Sequence, residues 1–363
     1  MQKPDAPFSL FGPDTLTVSR AEAAASDPGR ILESEIRRWN VLHRAMGLSE
    51  FGGVPVLIVD PDQAPKDLDG FEAYMMDRLP QADHQLLTGF RFFEDELRRS
   101  LQQENLLGFV PPCAALYPTD RMGQDGIEAA IVLAPGKTCT PEQDLLYGMG
   151  AERHAPETPL LAEDNISWRY FELFHELAHV AGAREPQADH IANLFCRRAF
   201  PNSATPWVQA DIRALEAVVS AAQLAAGQAE DPQHNIEVLK NYGWPMVVAN
   251  DTANAMAAKD AAALTEAEIL ARRETVYSHD FDRLYQLGAL IRTAGLGEEI
   301  LSGRSDRIMR GARKLERRIA ALTDDSDLRH IAGRFALAAR RIHAGAPSYV
   351  NPAKPLLFTA PAR

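Results

Sequence analysis

Three residues within one helical turn stand out chemically in this 363-residue chain: His175, Glu176 and His179 spell H-E-x-x-H. Residues four apart on a helix lie one turn above each other on the same face, so both imidazoles can reach a single cation with Glu176 beside it. Phe171, Leu173, Phe174, Leu177, Ala178, Val180 and Ala181 make the helix apolar on nearly every side, the pattern of a buried element. Two histidines and the acids Glu172 and Glu176 on such a helix are costly unless paired, hydrogen-bonded or bound to a metal. The pattern points to a metal; the bland alternative is a pair of core histidines satisfied by backbone or carboxylate.

Gly182 is well placed to stop this helix, and beyond it Glu185, Asp189 and His190 compete as third ligand. A chain that turns back after Gly182 brings Glu185 to the start of a second helix, with Pro186 tolerated in the first turn. Asp189 lies one turn further along the same face, about 6 Å up the axis, a distance that suits a carboxylate supporting a ligand from behind. His190 is rotated by about 100° from Asp189, so the two cannot face the metal equally well. Ligand type and helix geometry favour Glu185 and keep Asp189 and His190 as alternatives.

His175-Glu176-Leu177-Ala178-His179, followed by Glu185, Ala188 and Asp189, resembles a zincin metallopeptidase of bacterial or phage type, and E-x-x-A-D resembles the gluzincin pattern. With Gly182 in place and a short spacer, the stretch is also similar to the metzincin motif, with Glu185 where the third histidine stands. The small ImmA/IrrE-like peptidases resemble it too, with Gln187 replacing their usual glutamate. The resemblance implies a zinc metallopeptidase: Zn²⁺ on His175, His179 and Glu185, Asp189 or Glu172 orienting a histidine, and Glu176 as general base toward a peptide carbonyl. It implies an α+β fold, a zincin-like core with a small sheet whose edge strand pairs with extended substrate. Tyr242, His234, Tyr277 and His279 are candidates for stabilising the oxyanion. The rival readings are a nonpeptide hydrolase and a noncatalytic metal-binding interaction protein.

The elements that must position these residues are legible in part. Val54–Val59 and Ile127–Leu133 read as strands, the first at an edge because of Pro55, the second either a free edge or an interior strand. Helical spacing marks Leu32 to Met46 and Leu86 to Leu101, and Thr140-Pro141 starts a short helix. Residues 150–163 look like a loop, with Asp164 or Asn165 capping the motif helix. After Pro201 no strand is expected. Val208, Ile212, Leu215 and Val219 define one helix, a capping box at Thr265 starts another, and Ile308 to Leu322 and Leu328 to Ile342 define two more. The expected organisation is an arm at 1–28, a zincin-like domain at 29–202, a helical domain at 203–343 and an extended tail at 344–363.

Composition bounds the rest: 46% hydrophobic and 24% charged residues belong to a globular chain, and a net charge of -12 disfavours nonspecific nucleic-acid binding. Cys113, Cys139 and Cys196 have no C-x-x-C spacing, so neither a disulfide framework nor a cysteine zinc site is expected. Neither a leader nor a membrane span is visible, and cytoplasm is the simplest compartment. The 11 Lys or Arg against 5 Asp or Glu between residues 301 and 345 include a stripe of Arg310, Lys314 and Arg317, expected to be a solvated face or a contact for acids.

Overall fold

The computed structural model describes residues 56–59, 114–116, 131–135, 171–179, 181–200, 203–227, 243–277, 281–302 and 304–344, with isolated positions between 65 and 77 and at 236. The arm at 1–28, the helices read at 32–46 and 86–101, the helix begun by Thr140, the loop at 150–163 with its caps, and the tail beyond 344 lie outside the described residues.

Three short strands pair into one sheet: β1 (Val56–Val59), β2 (Ala114–Leu116) and β3 (Ile131–Pro135), in the order β1-β3-β2. β1 runs parallel to β3, with Val56 opposite Val132, and β2 runs antiparallel to it, with Ala114 opposite Leu133. Pro55 precedes an edge strand, where a missing N–H is tolerated. The run at Ile127–Leu133 contributes the central strand. Both its sides are paired, so it offers no free edge for an extended substrate.

Helix, by contrast, dominates the described chain, and this corrects the fold class. The expected α+β zincin-like core is not what these residues form; the described protein is predominantly helical. The strands are only 4, 3 and 5 residues long, and among the described residues the largest fully buried side chains, Phe171, Phe195, Phe335, Leu173 and Leu177, all stand on helices. Burial of apolar side chains drives folding, and the buried apolar side chains described here stand mainly on helices. The α+β expectation came from the resemblance at residues 175–189, a short stretch that does not report the architecture of the rest of the chain.

The chain divides into two compact units. One contains the sheet, Trp168–Ala199 and Lys259–Thr275; the other contains Phe200–Ala258 and the chain from Val276. In the second, the helix Thr205–Ala226 is the hub, packed by Trp244–Ala255, Phe281–Thr293, Gly297–Ile300 and Ser326–Ala344. Its length follows from Pro in the first turn and Gly227 in a left-handed conformation at its end. Asp211 on this helix is fully buried and accepts a 2.9 Å hydrogen bond from Arg334, which also binds Asp251, itself paired with His330. In the basic stripe, Arg310 meets Asp306 at 3.3 Å and Lys314 meets Glu299 at 2.6 Å. Such exposed pairs contribute little, at most about 1 kcal/mol each. Among the described residues no helix is long and apolar enough to cross a membrane.

Candidate metal centre

The motif lies on a helix at residues 171–179, which buries Phe171, Leu173, Phe174, Leu177 and Ala178. Its end follows directly from the sequence. Gly182 adopts φ +86°, a conformation open to glycine at little cost, and the turn closes with Ala183 N–H donating to Ala178 O at 2.9 Å and Gly182 N–H to His179 O at 2.9 Å. The reversal leads into the second helix, Glu185–Ala199, with Glu185 in its first turn. Pro186 falls where no backbone donor is needed. Phe174 and Phe195, with ring centroids 5.1 Å apart, pack the two helices together.

This arrangement brings three donor atoms together. His175 Nε2 lies 3.1 Å from Glu185 Oε2 and 3.1 Å from His179 Nε2, and His179 Nε2 lies 3.5 Å from Glu185 Oε2. Zinc–ligand bonds of about 2.0–2.1 Å in a tetrahedron separate neighbouring donors by about 3.3 Å, so the triangle already has the size of one face of such a site. Among the described residues, His175, His179 and Glu185 form the group able to hold a metal ion.

The far sides of both rings decide the chemistry of the near sides. His179 Nδ1 is 2.8 Å from the Ala183 carbonyl oxygen. A carbonyl has no proton to give, so Nδ1 carries the hydrogen and Nε2 of the neutral ring presents a lone pair. His175 Nδ1 sits 2.8 Å from Oδ1 of Asp189, a carboxylate with no exposed surface; the contact lies off ideal hydrogen-bond alignment, and the nearby charge favours a proton on that nitrogen. Two nitrogen lone pairs and a carboxylate oxygen therefore face one point. Such a set repels itself without a positive charge among its members.

Protonation of His175 is one source of that charge, displaced when a metal takes its place. Burial works to lower the pKa of His175, but hydrogen bonds to Asp189 and Glu185, with the charges of Asp189 and Glu176, outweigh it and raise the value to about 10. For Glu185, burial pushes upward, yet His175 and His179 hold the carboxyl well below the usual carboxylate range. The cluster favours a positive charge among its members, either a proton on His175 or a bound cation.

Glu185 thus joins the two histidines, while Asp189, one turn further on, reaches the opposite nitrogen of His175. His190 is buried but stands outside the donor group. Glu176 is half-buried on the motif helix and near enough for its charge to act on His175. Of the oxyanion candidates, Tyr242, His234 and His279 lie outside the described residues, and Tyr277 is buried in the other unit. Cys196 is buried and unbridged, with its thiol pKa pushed up by burial, which suits a core residue rather than a ligand.

Sequence reasoning missed three participants. The Ala183 carbonyl was recognisable in principle from the position of Gly182. Gln187, which donates to Thr275 O at 3.0 Å, and Arg273, which donates to Ala181 O at 3.0 Å, depend on a segment some ninety residues away and left no local signal. Comparison with protein-family models, curated proteins and solved structures finds no match for this chain.

Proposed function

We propose that this chain is a zinc-dependent metallopeptidase in which His175, His179 and Glu185 hold the ion and Glu176 is the general base. One observation carries the reading: two imidazole nitrogens and a carboxylate oxygen converge within 3.5 Å, with each ring's other nitrogen engaged from behind. Two neutral nitrogens and one anionic oxygen form a set that zinc accepts in hydrolytic sites, where three protein ligands leave a position open. Bound there, zinc supplies Lewis acidity, lowering the pKa of water and polarising a carbonyl.

The chain's own residues do the rest. Asp189 keeps His175 in the tautomer that faces the donor triangle, and the Ala183 carbonyl does the same for His179. Glu176 is not one of the three donors; beside His175 in the motif helix, its proposed role is to take a proton from water and return it to the leaving amine nitrogen. The proposed substrate is a peptide or protein, and the proposed compartment is the cytoplasm. With a net charge of -12, nucleic acid is not a proposed partner, and neither is a membrane.

Elemental analysis of the purified protein should find about one zinc per chain, lost to a chelator and restored by zinc salts. Glu176→Gln should keep that metal and lose peptide hydrolysis, because an amide preserves the shape but cannot accept the proton. No zinc even after reconstitution sinks the reading. Zinc without hydrolysis across broad peptide libraries moves it to a metal-binding interaction protein, and turnover confined to nonpeptide esters or amides moves it to another hydrolase.

A further inference from the structure

A segment distant in sequence ties down both ligand-bearing helices. Ala271–Glu274 forms a 3-10 turn directly after the short helix Glu266–Leu270, whose start is fixed by the reciprocal Thr265–Glu268 capping box. From this turn, Arg273 Nη1 donates to Ala181 O at 3.0 Å, satisfying a carbonyl at the end of the motif helix that the helix itself leaves open. Two residues beyond Ala181 is the carbonyl that orients His179. Thr275, directly after the turn, accepts at its carbonyl a 3.0 Å hydrogen bond from Gln187 Nε2, on the second helix between Glu185 and Asp189. One short segment thus holds the reversal after His179 and the first turn that carries Glu185.

We infer that Ala271–Thr275 is a strap that positions the metal centre, with Arg273 and Gln187 as positioning residues. The inference rests on the zinc reading above. The spacing of the three donors depends on the angle at which the chain reverses between residues 179 and 185, a turn closed by its own backbone hydrogen bonds and tied from outside by Arg273. Arg273 suits the task because a guanidinium presents several donors in a planar fork and its positive charge favours the negative end of the helix dipole.

The test compares Arg273→Ala, Arg273→Lys and Gln187→Ala with the wild-type full-length protein. It reads zinc affinity by chelator competition, the absorption spectrum of the Co²⁺-substituted protein, and the melting temperature without metal. Arg273→Ala should weaken zinc binding about 3- to 10-fold, somewhat less than the loss of a direct partner of a ligand, and should shift the cobalt bands. Arg273→Lys should recover most of both, and Gln187→Ala, which approaches from the other helix, should shift the bands the same way even if Arg273→Ala folds poorly. Wild-type zinc affinity and cobalt spectrum in both alanine variants overturn the strap. So does a weaker affinity that merely follows the melting temperature while the spectrum stays unchanged. Wild-type protein that binds neither metal removes the zinc reading itself, a result separate from failure of the strap.

Discussion

Replacing Glu185 or Asp189 by alanine separates the two carboxylates that flank His175. Glu185 Oε2 is 3.1 Å from His175 Nε2, inside the donor triangle, whereas Asp189 Oδ1 is 2.8 Å from Nδ1 on the other side of the same ring. Sites with four zinc ligands have apparent binding free energies of about 10–16 kcal/mol, or about 2.5–4 kcal/mol per ligand. Loss of Glu185 should therefore weaken zinc affinity by about two to three orders of magnitude. Asp189 does not touch the ion, and its removal should cost about 10- to 100-fold, the usual effect of losing a carboxylate that orients a histidine ligand. Asp189→Asn should fall below even that, because the amide oxygen can still accept from Nδ1 while the charge is gone. Competition with a chromogenic chelator at fixed pH measures all three. A larger loss for Asp189→Ala than for Glu185→Ala refutes the ligand assignment, and loss of metal only in His190→Ala moves the ligand to His190.

Two glycines should respond with opposite signs to the same substitution. Gly182→Ala meets no steric obstacle, since nothing lies within 4 Å of an added methyl, but φ +86° is unfavourable for an L side chain, so stability should fall by about 1–2 kcal/mol in urea titration. Gly333→Ala is equally unobstructed within the helix Ser326–Ala344 and should raise stability by about 0.5–1 kcal/mol; a fall there would show that Gly333 serves some purpose other than helix continuity. Arg334→Ala leaves Asp211 buried without its 2.9 Å partner and should destabilise by about 3–5 kcal/mol, read from the urea midpoint of the metal-free protein. An effect below about 1 kcal/mol would mean that water reaches Asp211 in solution.

What the sequence determined by itself is local. The four-residue spacing of His175 and His179, the stop at Gly182, the capping box at Thr265 and the apolar periodicity of the long helices all depend on interactions spanning one or two turns, and each is readable from neighbouring residue types. The two main strands were legible for the same reason, to within a few residues. The tertiary structure alone decided how these pieces combine. Both sides of the Ile131–Pro135 strand became paired, and the described residues are predominantly helical, which changed the fold class from α+β. Among Glu185, Asp189 and His190, all acceptable by type, the direction of the chain after Gly182 placed Glu185 with the histidines and Asp189 behind one of them. Arg273 and Gln187 entered the site through contacts 92 and 88 residues long. Periodicity reports which face of a helix will be buried; it carries no information on which distant segment will cover that face, because that choice is made by the packing of the whole unit.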